Sequence, residues 1–279
     1  MSGVVLLDKV RSELESLRLR HVTEILERTL EQAVQNDLPA LEVLEGLLSH
    51  EITQRWALRV DTAKKMSGLP REKTLEGFDF SFQPGLDRSK ILELATLRFL
   101  AHKENVIFLG PPGVGKSHLA AGLGLKAVEQ GHQVLFINAH ELILKLKSWS
   151  ASGVLLRQWG FFRRLQLLIV DEMGYLPIDA DGSSLLFQLI ARRYEQGSTI
   201  VTSNLSFGQW GSFLGNDVVA SAILDRLLHH GSIINLRGES YRLKDKRRAG
   251  LIGSARTSES AKTDSGGIPP AQPDRDRSL

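Results

Sequence analysis

The chain contains no cysteine among its 279 residues, which excludes disulfides and thiolate metal sites. It also has no apolar run approaching the ~20 residues of a membrane-spanning helix. The N-terminal patch Val4, Val5, Leu6 and Leu7 is too short for a signal-peptide core and meets Asp8 at once. No membrane contact is expected, and the expected location is cytoplasmic. A strong excess of one charge is missing as well. Lys and Arg total 35 against 32 Asp and Glu, a net +3, which is compatible with nucleic-acid contact without demanding it. Beyond Ile252 apolar residues almost vanish in favour of Ser, Thr, Gly, Pro and charge. Such a stretch cannot bury enough surface to fold alone, so 249–279 is expected to be a disordered tail. The remainder, in a chain 42% apolar and 24% charged, has the length for a main core and an accessory piece.

The accessory piece comes first. Over 7–35 the residues Leu14, Leu17, Val22, Ile25, Leu26, Leu30 and Ala33 recur at three- and four-residue steps, which predicts one amphipathic helix. Asn36, Asp37, Leu38 and Pro39 break it, and Pro39 suits the first turn of a second helix. That helix carries Leu41, Leu44, Leu47, Leu48 and Ile52, then a basic end around Trp56 with Arg55, Arg59, Lys64 and Lys65. Residues 1–72 therefore read as a small all-helical domain. A Phe-rich connector over 74–86 and a helix over 88–102 lead into the main core.

From there strand-like runs at 106–109, 133–138, 167–171, 199–203 and 232–236 alternate with helical stretches. This order predicts an α/β domain over 73–248 with a five-stranded parallel sheet covered on both faces. The first strand runs directly into Gly110, Pro111, Pro112, Gly113, Val114, Gly115, Lys116 and Ser117, followed by His118 at the start of a helix. This is the phosphate-cradling loop, G-x-x-x-x-G-K-[ST], in its required strand–turn–helix context. Exposed N–H groups at a helix N-terminus hold phosphate oxygens. Gly113 and Gly115 allow backbone conformations that a Cβ would forbid. Lys116 is placed for the β- and γ-phosphates and the Ser117 hydroxyl for Mg²⁺. ATP and Mg²⁺ are the expected ligands.

About 55 residues further on, the strand Leu167, Leu168, Ile169, Val170 ends in Asp171 and Glu172. Asp171 is the expected Mg²⁺ partner and Glu172 the expected general base for an attacking water. Alone, such a pair also reads as the cap of a turn; the phosphate loop upstream tips the balance. The strand of Ile200 and Val201 ends at Asn204, which either orients the water or contacts the γ-phosphate, the plain alternative being a turn-starting Asn.

Taken with Met173, Gly174, Tyr175, Leu176 and Pro177, the run 192–204, the run Leu224 to His230 and the ending Gly238 to Lys244, these residues closely resemble the IstB family. Its members are AAA+ ATPases that help insertion-sequence transposition, and they are similar to DnaC-type helicase loaders. The resemblance runs from Leu6 to Lys244. It implies a ring or spiral homo-oligomer on duplex DNA, bound largely without sequence preference, that stimulates a transposase. The alternative it leaves open is a DnaC-like replicative helicase loader. It also implies that Arg226, just ahead of the last strand, enters the neighbouring subunit's ATP site; an exposed pair with Asp225 is the plain alternative. Arg192 and Arg193 are a second arginine candidate or a solvated helix face. Lys145 and Lys147, with Arg157, Arg163 and Arg164, lie where related ATPases face DNA, and Arg55, Arg59 and Lys64 form the other DNA candidate. Only about eight residues separate Leu236 from Lys244 and a disordered-looking segment follows, so the helical lid usual in AAA+ modules is expected to be absent or vestigial, which leaves Arg242 without an assigned role.

Overall fold

A computed structural model describes residues 3–241, which form one compact unit. Three helices come first: α1 (Gly3–Ser16), α2 (Arg20–Gln35) and α3 (Ala40–Met66). A 3₁₀ turn at Phe80–Phe82 and two short helices, α4 (Arg88–Ala95) and α5 (Arg98–Ala101), lead to the first strand. The core is then β1 (Asn105–Leu109), α6 (Lys116–Glu129), β2 (Val134–Asn138), α7 (Ala139–Ala151), α8 (Leu155–Arg164), β3 (Leu167–Met173), α9 (Ala180–Arg193), β4 (Ser198–Ser203), a 3₁₀ turn at Phe207–Gln209, α10 (Trp210–Leu214), α11 (Asp217–Leu228) and β5 (Gly231–Asn235).

All strands run parallel in the order β2-β3-β4-β1-β5. Parallel strands covered on both faces read as unbroken apolar runs, and alternate residues supply alternate faces. Val106 and Phe108 point into a core with Leu119 and Leu123 of α6, together with Ile91 and Leu94 of α4. Ile107 points the other way, with Leu168, Val170 and Val201, into a core closed by α7 to α11. Helix α10, buried through Trp210 and Leu214, was not anticipated, because five residues are too few for helical periodicity to register.

The predicted helix over 7–35 is two helices. The break falls at Arg18, whose φ of 60° is left-handed, although the apolar spacing continues across it. The cause lies in α3. Glu51 is only 3% exposed; it accepts the Val22 N–H at 2.9 Å and the Arg55 Nε–H at 2.7 Å. Arg55 also donates to the Arg18 carbonyl. One buried carboxylate thus satisfies an orphan donor near the start of α2 and holds the end of the preceding turn through Arg55. The expected helix over 88–102 is likewise divided, at the left-handed Leu97.

Helix α3 then continues onto the main core. Val60 and Ala63 pack against the α6-side core, Trp56 covers the Gly131 turn, Lys64 pairs with Glu129 at 2.8 Å, and the Ser67 carbonyl accepts the Phe136 N–H at 2.7 Å. The boundary expected after residue 72 falls in the turn that follows. No helix lies between β5 and Tyr241; Arg242, the remainder of the expected domain to 248 and the expected tail lie outside the described residues. Among the described residues no helix is long and apolar enough to cross a membrane.

Glu51 also sets an acid limit for the helical segment. Burial works to raise its pKa, but hydrogen bonds from Val22 and Arg55 outweigh it and hold the carboxyl below 4.5. Its stabilisation is complete above about pH 4.5 and is lost as pH falls through the lowered value. Glu51→Ala, which leaves the Val22 N–H unpaired, is expected to cost about 1–3 kcal/mol. Hydrogen exchange should accelerate in α1 and α2 before the sheet; unchanged exchange there would remove Glu51 from this role.

Candidate nucleotide site

The site forms at the carboxyl ends of the strands, where β1 lies between β4 and β5 and ligands of open parallel sheets bind. The loop leaves β1 through Gly110, whose N–H donates to the Ser203 carbonyl at 3.2 Å. Gly113 (φ 82°) and Gly115 (φ 102°) are left-handed. A Cβ on Gly113 would lie 2.0 Å from Ser240 Oγ and one on Gly115 would lie 2.5 Å from the Phe78 ring. Both glycines are therefore required by conformation and by contact. Gly115 caps the N-terminus of α6, where the N–H groups of the first turn present partial positive charge. Lys116 Nζ arches over the loop to the carbonyls of Gly110 and Pro111, at 2.6 and 2.7 Å.

Ser117 and Asp171, well separated in sequence, meet here: Ser117 Oγ donates to Asp171 Oδ1 at 2.7 Å. The same carboxylate oxygen accepts from Thr202 Oγ1 at 2.5 Å, and Thr202 Oγ1 accepts the Glu172 N–H at 2.9 Å. Asp171 is 8% exposed. A register irregularity between Val170 and Met173 accompanies a left-handed Glu172 (φ 59°). Bulges re-aim side chains beside functional sites. Here the bulge sends the Glu172 carboxylate to the exposed surface, where Asn138 Nδ2 donates to its Oε2 at 2.7 Å. The adjacent hydroxyl and carboxylate are hard oxygen donors of the kind Mg²⁺ takes.

Asn204 follows β4 directly and is exposed beside the loop's entry. His118 turns the other way: its Nε2 lies 2.7 Å from the Thr74 carbonyl and its ring meets Phe78 edge-on at 5.4 Å. The connector and the segment after β5 flank the loop, with the Tyr241 N–H donating to the Gly113 carbonyl at 2.9 Å and Phe82 meeting the Tyr241 ring at 5.1 Å.

The family model for IstB-like ATP-binding proteins matches residues 12–249. The chain belongs to the IstB-like family. It is 48% identical over 239 residues to the putative ATP-binding protein of insertion sequence IS21 from Pseudomonas aeruginosa, which covers 86% of this chain and 90% of that protein. It is 44% identical over 240 residues to the counterpart of IS5376 from Geobacillus stearothermophilus, covering 86% of this chain and 96% of the relative. Among solved structures, AMPPCP-bound DnaA from Aquifex aeolicus superposes with a TM-score of 0.52 at 18% identity, over 70% of this chain and 58% of that one. That likeness concerns the AAA+ fold alone.

Other predicted residues of this IstB-like chain are more scattered. Arg226 lies in the last turn of α11, where its carbonyl accepts from Asn105, the first residue of β1, at 3.4 Å. The phosphate loop follows the last residue of that strand, roughly 16 Å further along for a strand of this length. The guanidinium stacks 4.9 Å from the Phe187 ring centre and donates to the Ala222 carbonyl at 2.7 Å.

Arg193 is neither a second finger nor a solvated residue. It is 3% exposed and donates to the carbonyls of Phe162, Leu165 and Ser198 and to Thr199 Oγ1, at 2.6–3.3 Å. Burial lowers its pKa to about 10, so it stays charged at neutral pH. Arg192 stacks over Trp159 at 5.0 Å.

The DNA candidates lie on opposite faces of the sheet. Lys145 and Lys147 are on α7, paired with Glu141 and Asp179 at 2.7 and 2.6 Å; Arg157, Arg163 and Arg164 are exposed on α8. Lys64, Arg59 and Arg55 are on α3, with Arg55 engaged by Glu51. The two lysine pairs on α7 are exposed, and such pairs hold little energy and exchange readily. A groove of about 480 Å³, lined by Asn138, Leu144, Lys147, Glu172, Tyr175 and Phe213 among others, opens beside Glu172. Asn138 and Thr202 were missed from the sequence. Asn138 carries the same signal as Asn204, a polar residue closing an apolar strand, whereas Thr202 inside a strand carries none.

Arg193→Met leaves three buried carbonyls and a hydroxyl without their donor. A loss of about 3–5 kcal/mol is expected in urea unfolding, and Arg193→Lys, lacking the planar fork, should recover only part of it. A loss under 1 kcal/mol in Arg193→Met would contradict the clamp.

Proposed function

We propose that this chain is a cytoplasmic, DNA-stimulated ATPase that assembles as a ring or spiral on duplex DNA and stimulates the transposase of an insertion sequence. The carrying observation is the division of labour between the two sheet edges. Ser117, Asp171, Thr202 and Glu172 converge at one edge, while the Arg226 backbone sits at the other, beside Asn105 at the opposite end of β1 from its own chain's loop. The relatives' names supply the insertion-sequence context.

In this reading the N–H groups at the start of α6 and Lys116 hold the phosphates. Ser117 and Asp171 would hold Mg²⁺, which when bound would supply charge neutralisation on the phosphate oxygens. Glu172 takes a proton from the attacking water as the bond to the γ-phosphoryl group forms and ADP leaves. Asn204 orients that water, and Arg226 of one copy stabilises charge in the site of the next. ATP bridging two copies favours the assembled state, and hydrolysis releases it. Residues 1–72 serve as the partner- and DNA-binding module, 73–248 as the ATPase domain and 249–279 as a tail. Lys145, Lys147, Arg59 and Lys64 contribute phosphate contacts whose strength falls with salt.

Glu172→Gln is expected to bind ATP normally and to hydrolyse it about 10²–10⁴-fold more slowly; unchanged phosphate release removes Glu172 from the mechanism. Arg226→Ala should keep ATP binding and lose roughly 10³-fold or more of DNA-stimulated turnover. Mixing it with an Asp171→Ala chain, which lacks only the other half of the site, should restore part of the activity. Absence of rescue would reject the shared site, and capture of a replicative helicase in place of a transposase would reject the transposition role.

A further inference from the structure

At the sheet edge away from the phosphate loop, the turn after α9 meets the end of α11. Glu195, His229 and His230 come together there, all exposed, with one potential ligating atom from each lying within 4.8 Å of the others. The two imidazole rings are 4.0 Å apart between centres, and His230 Nε2 lies 3.8 Å from Glu195 Oε1. His229 Nδ1 lies 2.7 Å from the Tyr194 hydroxyl. We propose that Glu195, His229 and His230 bind a divalent transition-metal ion of the zinc class, leaving further coordination to water or a neighbouring molecule.

The donor set selects the ion. Two imidazoles and one carboxylate suit Zn²⁺, Co²⁺, Ni²⁺ or Cu²⁺ and are a poor set for Mg²⁺ or Ca²⁺, which take oxygen. Metal–ligand bonds of about 2.0–2.1 Å in a tetrahedron place ligand atoms ~3.3 Å apart. Exposed side chains reach that spacing by small rotations, without moving the backbone.

The backbone is held in place. Glu195 is left-handed (φ 57°) in a turn whose Gln196 and Gly197 N–H groups both donate to the Arg193 carbonyl. The buried Arg193 side chain pins the same turn to the sheet. The histidines follow α11 directly, and the His229 N–H donates to the Asp225 carbonyl at 3.0 Å.

Tyr194 completes the arrangement from outside. When His229 Nδ1–H donates to the phenol oxygen, the Nε2 lone pair faces outward for the ion, the outer-partner geometry that fixes metal-binding histidines. A bound ion would tie the turn after α9 to the α11–β5 corner, three residues from Arg226.

The test is a Co²⁺ titration of the full, tag-free chain without nucleotide, followed by displacement with Zn²⁺. The expected result is one Co²⁺ per chain with visible d–d absorption that Zn²⁺ abolishes. Glu195→Gln and His230→Ala, both at exposed positions and checked for native circular dichroism, should lose that absorption. Tyr194→Phe should weaken binding about 10-fold or more. No saturable binding, or binding unchanged in Glu195→Gln and His230→Ala, overturns the proposal and leaves an ordinary His–Glu contact.

Discussion

The hydrogen bonds centred on Asp171 tie the candidate site together. One carboxylate oxygen takes the hydroxyls of Ser117 and Thr202, and Thr202 takes the Glu172 N–H. Three pieces of chain are fixed by this node: the start of α6, the bulged end of β3 and the interior of β4. The bulge leaves backbone groups out of the regular ladder, and the Thr202 hydroxyl satisfies one of them. Without that acceptor, a left-handed Glu172 would add an unpaired N–H to an already strained conformation. The strain aims the Glu172 carboxylate outward, where Asn138 holds it. Local backbone geometry, hydroxyl chemistry and placement of the proposed base are therefore one problem with one solution.

The second constraint is distance. A parallel sheet gathers strand ends at one edge and helix ends at the other, so residues in the last turn of α11 are separated from the phosphate loop by a full strand. Arg226 lies in that turn, stacked on Phe187 and bonded to its own helix. Within one chain its charge is a packing element. On the proposed reading it becomes a catalytic group only when a second copy brings its phosphate loop to that edge, which would make turnover depend on assembly without any further device.

The glycine loop, the Asp171–Glu172 pair and all five strands were legible from sequence, because each is written in local pattern: an apolar run, then a polar or glycine-rich end. What escaped was decided by distant partners. The break at Arg18 leaves the apolar spacing intact and depends on a carboxylate, Glu51, on another helix. Arg193 looks like the solvated end of a helix, yet its acceptors are carbonyls at the end of α8 and in β4, and backbone carbonyls leave no trace in a sequence. The Thr202 relay failed to register for the same reason, since a threonine suits any strand.

Helix α6 connects these observations to the N-terminal segment. It begins at the phosphate loop and ends at Glu129, spanning about 21 Å at 1.5 Å per residue. Its far end meets α3 through Lys64 and, at the turn just beyond, through Trp56. Helix α3 continues without interruption to Glu51, the residue that holds the α1–α2 corner. Packed helices move as rigid bodies more readily than they deform, because close-packed interfaces tolerate little compression. A shift at the α6 N-terminus therefore has a continuous, stiff route to α1 and α2. If nucleotide state alters partner binding in this chain, α3 is the element whose contacts with α6 must change first.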